Sequence, residues 1–329
     1  MLRLKSYEFR RERQKTWSEL DRLVARAEKS GVRSLSAEEL TRLPVLYRAT
    51  LSSLSVARAI STDRNVIEYL EGLSARAYIH VYGAKQGAVP TIVAFFTSTF
   101  PRTFRRLRWH VLLSALFLLS GVLVGFLLTE EEPDRYYAFV GEGMAQGRDP
   151  SATTESLREV LYDRPDQDSA LVLFASFLFT HNTQVGFLAF ALGFLAGVPV
   201  FLLLFGTGLM LGAFGALYDS RALSVDFWGW ILPHGVTELL AVVLCGAAGL
   251  RIGQALVFPG PRARLAALAH AGREAGGLVL GSILLFFVAG LIEGIFRQTV
   301  HDVPIRYGLA LATTVAWLAY FLAVGRERR

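Results

Sequence analysis

The sequence predicts an all-α protein: a polytopic membrane helical bundle of about six spans, preceded by a cytoplasmic helical domain. Three observations carry that prediction. Residues 1–110 are dense in charge, whereas most of 111–324 falls into long apolar runs. Each run is close to the roughly 20 residues that an α-helix needs to cross ~30 Å of hydrocarbon. The charges between the runs also segregate by sign. Residues 1–110 hold 20 Lys/Arg against 10 Asp/Glu, while 129–168 holds 4 against 11.

The elements follow in chain order. A helix is expected from about Leu4 to Lys29, stopped by Gly31, a residue type suited to the left-handed turn that ends a helix. Ser36-Ala-Glu-Glu39 has the spacing of a capping box. It opens a second helix through Leu46 and Leu54 to about Ile60, with an adjustment at Pro44. Asp63 is placed to cap a third helix running to Tyr82. Near 90–109, Ile92-Val-Ala-Phe-Phe96, Phe100 and Phe104 are interleaved with Arg102, Arg105, Arg106 and Arg108. That mixture suits either an amphipathic helix at the inner leaflet or a simple basic flank.

The spans are placed at about 111–128, 170–195, 198–218, 231–250, 277–297 and 306–324. Basic flanks face the cytoplasm, so both termini and the 251–273 loop, which carries four arginines and no acid, are expected inside. The acidic 129–168 segment is expected outside, as a docking surface or a solvated loop. An even number of spans satisfies all of these at once. His181-Asn182-Thr183-Gln184 interrupts the second run near mid-membrane. Two spans are favoured over a re-entrant segment there, with a turn at Gly197-Val-Pro199 in either case. No short apolar core with a cleavage site stands at the N-terminus, so no cleaved signal peptide is expected. The chain is expected in a cytoplasmic membrane, in contact with lipid.

Some function classes are disfavoured. The only cysteine, Cys245, lies in an apolar run, which leaves no intrachain disulfide and no Cys-based metal motif. Phosphate-binding Gly loops, Gly-x-Ser-x-Gly elbows and His-Glu-x-x-His motifs are missing. The basic pI near 9.6 is explained by cytoplasmic flanks, and no nucleic-acid partner is expected.

Two features invite a function. Small residues recur at spacing four, as Gly121/Gly125, Gly193/Gly197, Gly208/Gly212 and Gly277/Gly281. Such pairs allow close helix approach, within one bundle or across a homodimer seam. Ionisable residues also sit inside apolar runs, where they are expensive and usually functional. His234 and Glu238 share a helix face at i and i+4. Glu293 lies near the end of the fifth span, with Arg297 one turn on. Pro233 suits the first turn of a helix, and Gly235 leaves room beside His234. If the fourth and fifth spans touch, His234, Glu238 and Glu293 converge. Three readings stay open: polar glue with Glu293 paired to Arg297; a divalent-metal site on His234, Glu238 and Glu293; and a proton or cation relay or headgroup cavity. His181 and Asn182 form a second polar group, read first as hydrogen-bonded packing, while His301 and Asp302 read as solvated. No cofactor is expected beyond that metal possibility.

Pro233-His-Gly-Val-Thr-Glu238, the run Cys245-Gly-Ala-Ala-Gly249, Gly281 and Leu291-Ile-Glu-Gly294 together resemble the stage II sporulation protein M family. His181-Asn182 resembles its Asn-Asn element, and Thr207 departs from its Asn-Gly. Leu46-Tyr-Arg48, Tyr69-Leu70 and Arg76-Ala77 resemble the soluble extension of the longer bacterial members. The resemblance implies a non-enzymatic scaffold or complex component in cell-envelope biogenesis, working with envelope proteins and expected to be dimeric. A transporter or lipid-moving protein with an intramembrane polar pathway is the alternative. An intramembrane metallohydrolase comes third.

Overall fold

A computed structural model describes residues 2–59, 63–82, 88–162, 170–296 and 299–326. The chain divides into two compact units, Met1–Thr91 and Ile92–Arg329.

In the first unit the three expected helices form: α1 (Leu2–Ser30), α2 (Ala37–Ala59) and α3 (Arg64–Val81). Gly31 ends α1 at φ 78°. The capping box closes reciprocally, with Ser36 N–H donating to Glu39 Oε2 at 2.9 Å and Glu39 N–H to Ser36 Oγ at 3.2 Å. Asp63 caps α3 by accepting from Asn65 N–H. Pro44 lies inside α2 without breaking it. Trp17, Leu20, Leu23, Leu43, Leu70 and Leu73 fill the core between the helices. Arg76 ties α3 to α1 through Glu28 and Asp21; these side chains are well exposed, so the pairs add little to stability.

Helix α4 (Ala88–Ala94) runs across the unit boundary in sequence, and the second unit continues with a π-turn at Phe95–Thr99 and α5 (Phe100–Arg106). Phe100 is 0% exposed and fills the dent left by Gly281, where a Cβ would overlap its ring. Phe104 stacks on Phe321 with ring centroids 4.1 Å apart. Arg105 donates to the Phe321 and Val324 carbonyls at 2.6 and 2.8 Å, and Arg102 to the Gly325 carbonyl at 3.0 Å. These arginines satisfy the orphan carbonyls at the end of the last helix, a standard need of helix C-termini. The aromatic–basic segment thus packs into the membrane unit, with its Phe side chains inward.

Among the described residues, five helical stretches are long and apolar enough to cross a membrane: α6 (Arg108–Glu131), α11 (Val198–Asp219), α12 (Ser224–Val257), the stretch Arg264–Phe296 and α14 (Val303–Ala323). The fourth of these comprises α13 (Arg264–Leu291) and a π-turn, Ile292–Phe296. The other expected span is α10 (Ala170–Leu192), which stays helical through residues 181–184. It ends in a turn at Ala196 and Gly197, both with positive φ. An irregular backbone is therefore absent at 181–184. The 34-residue α12 is the axis of the unit, packed against α6, α10, α11, α13 and α14.

Helix pairing is set by the glycines. Gly121 and Gly125 of α6 face Gly208 and Gly212 of α11. A Cβ at any of the four would overlap a carbonyl across the seam: Phe205, Leu209, Leu118 and Val122 respectively. Gly193 meets Gly249, and Gly253 meets Gly197, with a Cβ at Gly253 only 2.6 Å from the Gly197 nitrogen. The recurring small residues are thus used inside one chain, backbone against backbone. Gly277 is looser, 3.7 Å from Thr103. At one end of the bundle the buried Glu274 bridges Arg106 at 3.2 Å and Arg251 at 2.9 Å.

At the opposite end, the acidic segment is folded as far as Tyr162, where the described part ends. It forms short helices α7 (Tyr136–Phe139), α8 (Glu142–Ala145) and α9 (Thr154–Tyr162). Tyr136, Val140, Leu157 and Leu161 form one core with Phe214, Leu217, Phe227 and Trp230 of α11 and α12. Tyr136 donates to the Arg148 carbonyl, and Tyr162 to Asp226 at the start of α12. Among the described residues, Glu130, Glu131, Glu132, Asp134, Glu142, Glu155 and Glu159 are exposed on this cap.

Candidate functional site

The polar residues of the membrane unit are held by three elements. His234 and Glu238 lie one turn apart on α12, 4% and 6% exposed, and Glu293 is 2% exposed in the π-turn after α13. A π-turn widens the helix locally and recurs at functional sites; Glu293 in this one is near enough to Glu238 for the two carboxyls to repel each other, though it does not line the cavity that His234 and Glu238 share. Since α12 packs along α13, the expected adjacency exists.

Pro233 differs from expectation. The helix starts at Ser224, so Pro233 is in its interior, not its first turn. An interior proline removes one backbone hydrogen bond one residue before His234, yet α12 remains continuous. Nearby, Trp230 meets the His234 ring edge-on at 6.4 Å, and Trp317 of α14 donates to the buried Thr237 hydroxyl at 2.9 Å.

The two polar groups read from the sequence come together. Asn182 of α10 hydrogen-bonds with Glu238. His181, Asn182, Thr207, His234, Gly235 and Glu238 line one cavity of about 110 Å³. Gly235 lies at its wall, and Thr207 spends its hydroxyl proton on the Leu203 carbonyl at 2.8 Å. Gln184 is exposed, away from the cavity, and the Thr183 hydroxyl is buried without a hydrogen-bond partner. Arg297, the expected partner of Glu293, lies outside the described residues. His301 sits in the loop before α14, and Asp302 caps that helix by accepting from Ile305 N–H at 3.0 Å.

One charged lining residue escaped the sequence reading. Arg148, from the turn between α8 and α9, roofs the cavity. It is buried, donates to the Met144 and Ala145 carbonyls, and stands 5.1 Å from the Phe214 ring centroid. Burial disfavours its charged form and pulls its pKa down from the usual arginine value. Arg148 is one of four arginines in the acidic segment, and no periodic signal marks it as the one placed over a membrane cavity.

Chemically, the cavity offers donors and acceptors around a space for a few waters or one small polar group. A water takes about 30 Å³ in the liquid, and ligand pockets usually run to ~300–1,000 Å³. Among the described residues, no three His, Cys, Asp or Glu side chains are disposed to hold a metal ion.

Residues 114–296 match the family pattern of stage II sporulation protein M, and residues 7–83 match a domain of unknown function, DUF8413. No curated protein and no solved structure is similar to the chain.

Proposed function

Because this chain belongs to the stage II sporulation protein M family, we propose that it is a non-enzymatic membrane component that organises envelope proteins. The observation that carries this reading is the interlocking of its helices through glycine seams. Backbones in direct contact leave no slack for the rocking of one helical half against another, by which many secondary transporters work. The cavity is also too small for a lipid headgroup in transit. Positive charge on residues 1–110 and negative charge on the folded cap support an orientation with both termini in the cytoplasm. The cap would then meet partners outside, and the N-terminal three-helix domain partners inside.

Chemical crosslinking in native membranes followed by purification tests this reading. Envelope proteins should be recovered with the wild type and with Glu238→Gln, and lost when residues 1–91 are removed or the cap acids are neutralised. Recovery of no protein partner would overturn the proposal.

One observation favours a second reading. The cavity joins His181, Asn182, His234 and Glu238 beneath Arg148, which suits passage or sensing of a proton or small ion. In liposomes this reading requires a flux that Glu238→Gln abolishes while the fold survives.

A further inference from the structure

A second recess lies at the rim of the membrane unit, lined by other residues than the cavity around His234. It is a groove of about 280 Å³ between the ends of α6 and α11. The apolar run of α6 stops at Leu128, and Thr129 and Glu130 follow; α11 ends at Asp219. Both ends therefore sit where hydrocarbon gives way to headgroups. Leu123 and Leu127, on the same helix, are exposed where lipid would lie. The groove thus opens at headgroup height beside a lipid-facing surface.

Its chemistry is mixed in a particular way. Glu130 and Asp219 supply carboxylates. Asp219 already accepts from Ser224 at 2.5 Å and keeps lone pairs to spare. The donors are Thr129 and Arg221. The Thr129 hydroxyl is buried, in a residue only 4% exposed, and has no hydrogen-bond partner. Arg221 uses one terminal nitrogen on the Pro150 carbonyl at 2.8 Å, while its Nε–H is buried and unpartnered. Two buried polar groups without partners in one groove are unusual, because each forfeits the hydrogen bonds it would make in water. Pro133, Pro150 and Leu217 form the apolar walls.

We propose that this groove binds the zwitterionic headgroup of a phospholipid, with Glu130 and Asp219 receiving a primary ammonium and Thr129 and Arg221 donating to its phosphate. The pairing of acid and donor edges matches a headgroup carrying both charges, and not a purely anionic one. A primary ammonium donates hydrogen bonds to both carboxylates, which a quaternary ammonium cannot. This site is independent of the partner-organising reading and of the cavity around His234.

Native mass spectrometry of the detergent-solubilised full chain tests the assignment, with ethanolamine, choline and glycerol phospholipids added in turn. One ethanolamine lipid should be retained at least about tenfold more tightly than either of the others. Glu130→Gln should erase that preference, a change of about tenfold for one charge-assisted hydrogen bond. Thr129→Val should weaken retention of every phospholipid. Melting and elution profiles establish that each variant is folded, and either variant suffices if the other fails. Equal retention of choline lipid, or a folded Glu130→Gln protein with unchanged preference, overturns the proposal. Soluble phosphoethanolamine binding as tightly as the lipid would overturn the assignment to a membrane headgroup.

Discussion

Two glycines on α11, two residues apart, give the sharpest test of how the bundle is held. A Cβ at Gly208 would overlap the Leu118 carbonyl and stand 2.8 Å from the Val122 nitrogen and 2.9 Å from the Gly121 Cα. Ordinary Cβ contacts lie at 3.4–4 Å. Gly208→Ala therefore forces α6 and α11 apart by on the order of 1 Å. A radial gap of that size forfeits about a quarter to a half of each dispersion contact along the seam. Overpacking of this kind costs about 1–3 kcal/mol, and neither backbone can relax by changing a rotamer. Gly206, on the same helix, has nothing within 4 Å of its Cβ position. Gly206→Ala should be neutral or slightly stabilising, since alanine is favoured over glycine in a helix by up to about 1 kcal/mol. Reversible unfolding in mixed micelles, followed by circular dichroism, measures both. If Gly208→Ala is as harmless as Gly206→Ala, the seam is not a close backbone contact and the argument from it fails.

Other substitutions probe separate parts of the molecule. Phe100→Ala should cost about 3–5 kcal/mol, because it empties the space above Gly281; thermal unfolding of the full chain reads it. Arg105→Ala removes the donor to the Phe321 and Val324 carbonyls and should increase hydrogen exchange of the last turn of α14, while an unchanged exchange rate would mean those carbonyls are satisfied otherwise. Ser36→Ala deletes half of a capping box and should destabilise the N-terminal domain by about 1 kcal/mol, measurable by denaturant titration. Burial and the hydrogen bond to Asp226 push the Tyr162 phenol up to about 12. The unfolded phenol ionises near 10, so the cap should keep its stability below pH 10 and lose it as pH rises toward 12. Tyr162→Phe should flatten that loss in an alkaline melting series.

Much of the local structure was legible. Ser36, Glu39 and Asp63 cap helices where their spacing placed them, and Gly31 ends α1, because capping involves only neighbours in sequence. His234, Glu238 and Glu293 stood out as ionisable residues in apolar runs, and all three are buried together. Pro233 reads as a first-turn residue because the apolar run begins near Ile231, whereas the helix itself starts further back, at Ser224. The π-turn that carries Glu293, and the one before Phe100, left no signal, since a single extra residue per turn is invisible to a 3.6-residue pattern. Arg148 was unreadable for a different reason: it reaches the cavity only through the fold of the cap.

By itself, the sequence determined the class of the molecule, its membrane-crossing runs and the local ends of its helices. Each of these depends on free energies that add residue by residue, the transfer of apolar groups out of water foremost. Only the tertiary structure decided which helices pair, that Phe100 seats on Gly281, and that His181 and Asn182 join His234 and Glu238 around one cavity. Inside a bilayer the lipid tails are as apolar as any helix surface, so hydrophobicity cannot choose a neighbour. The choice falls to shape, and shape is complete only when both backbones are in place.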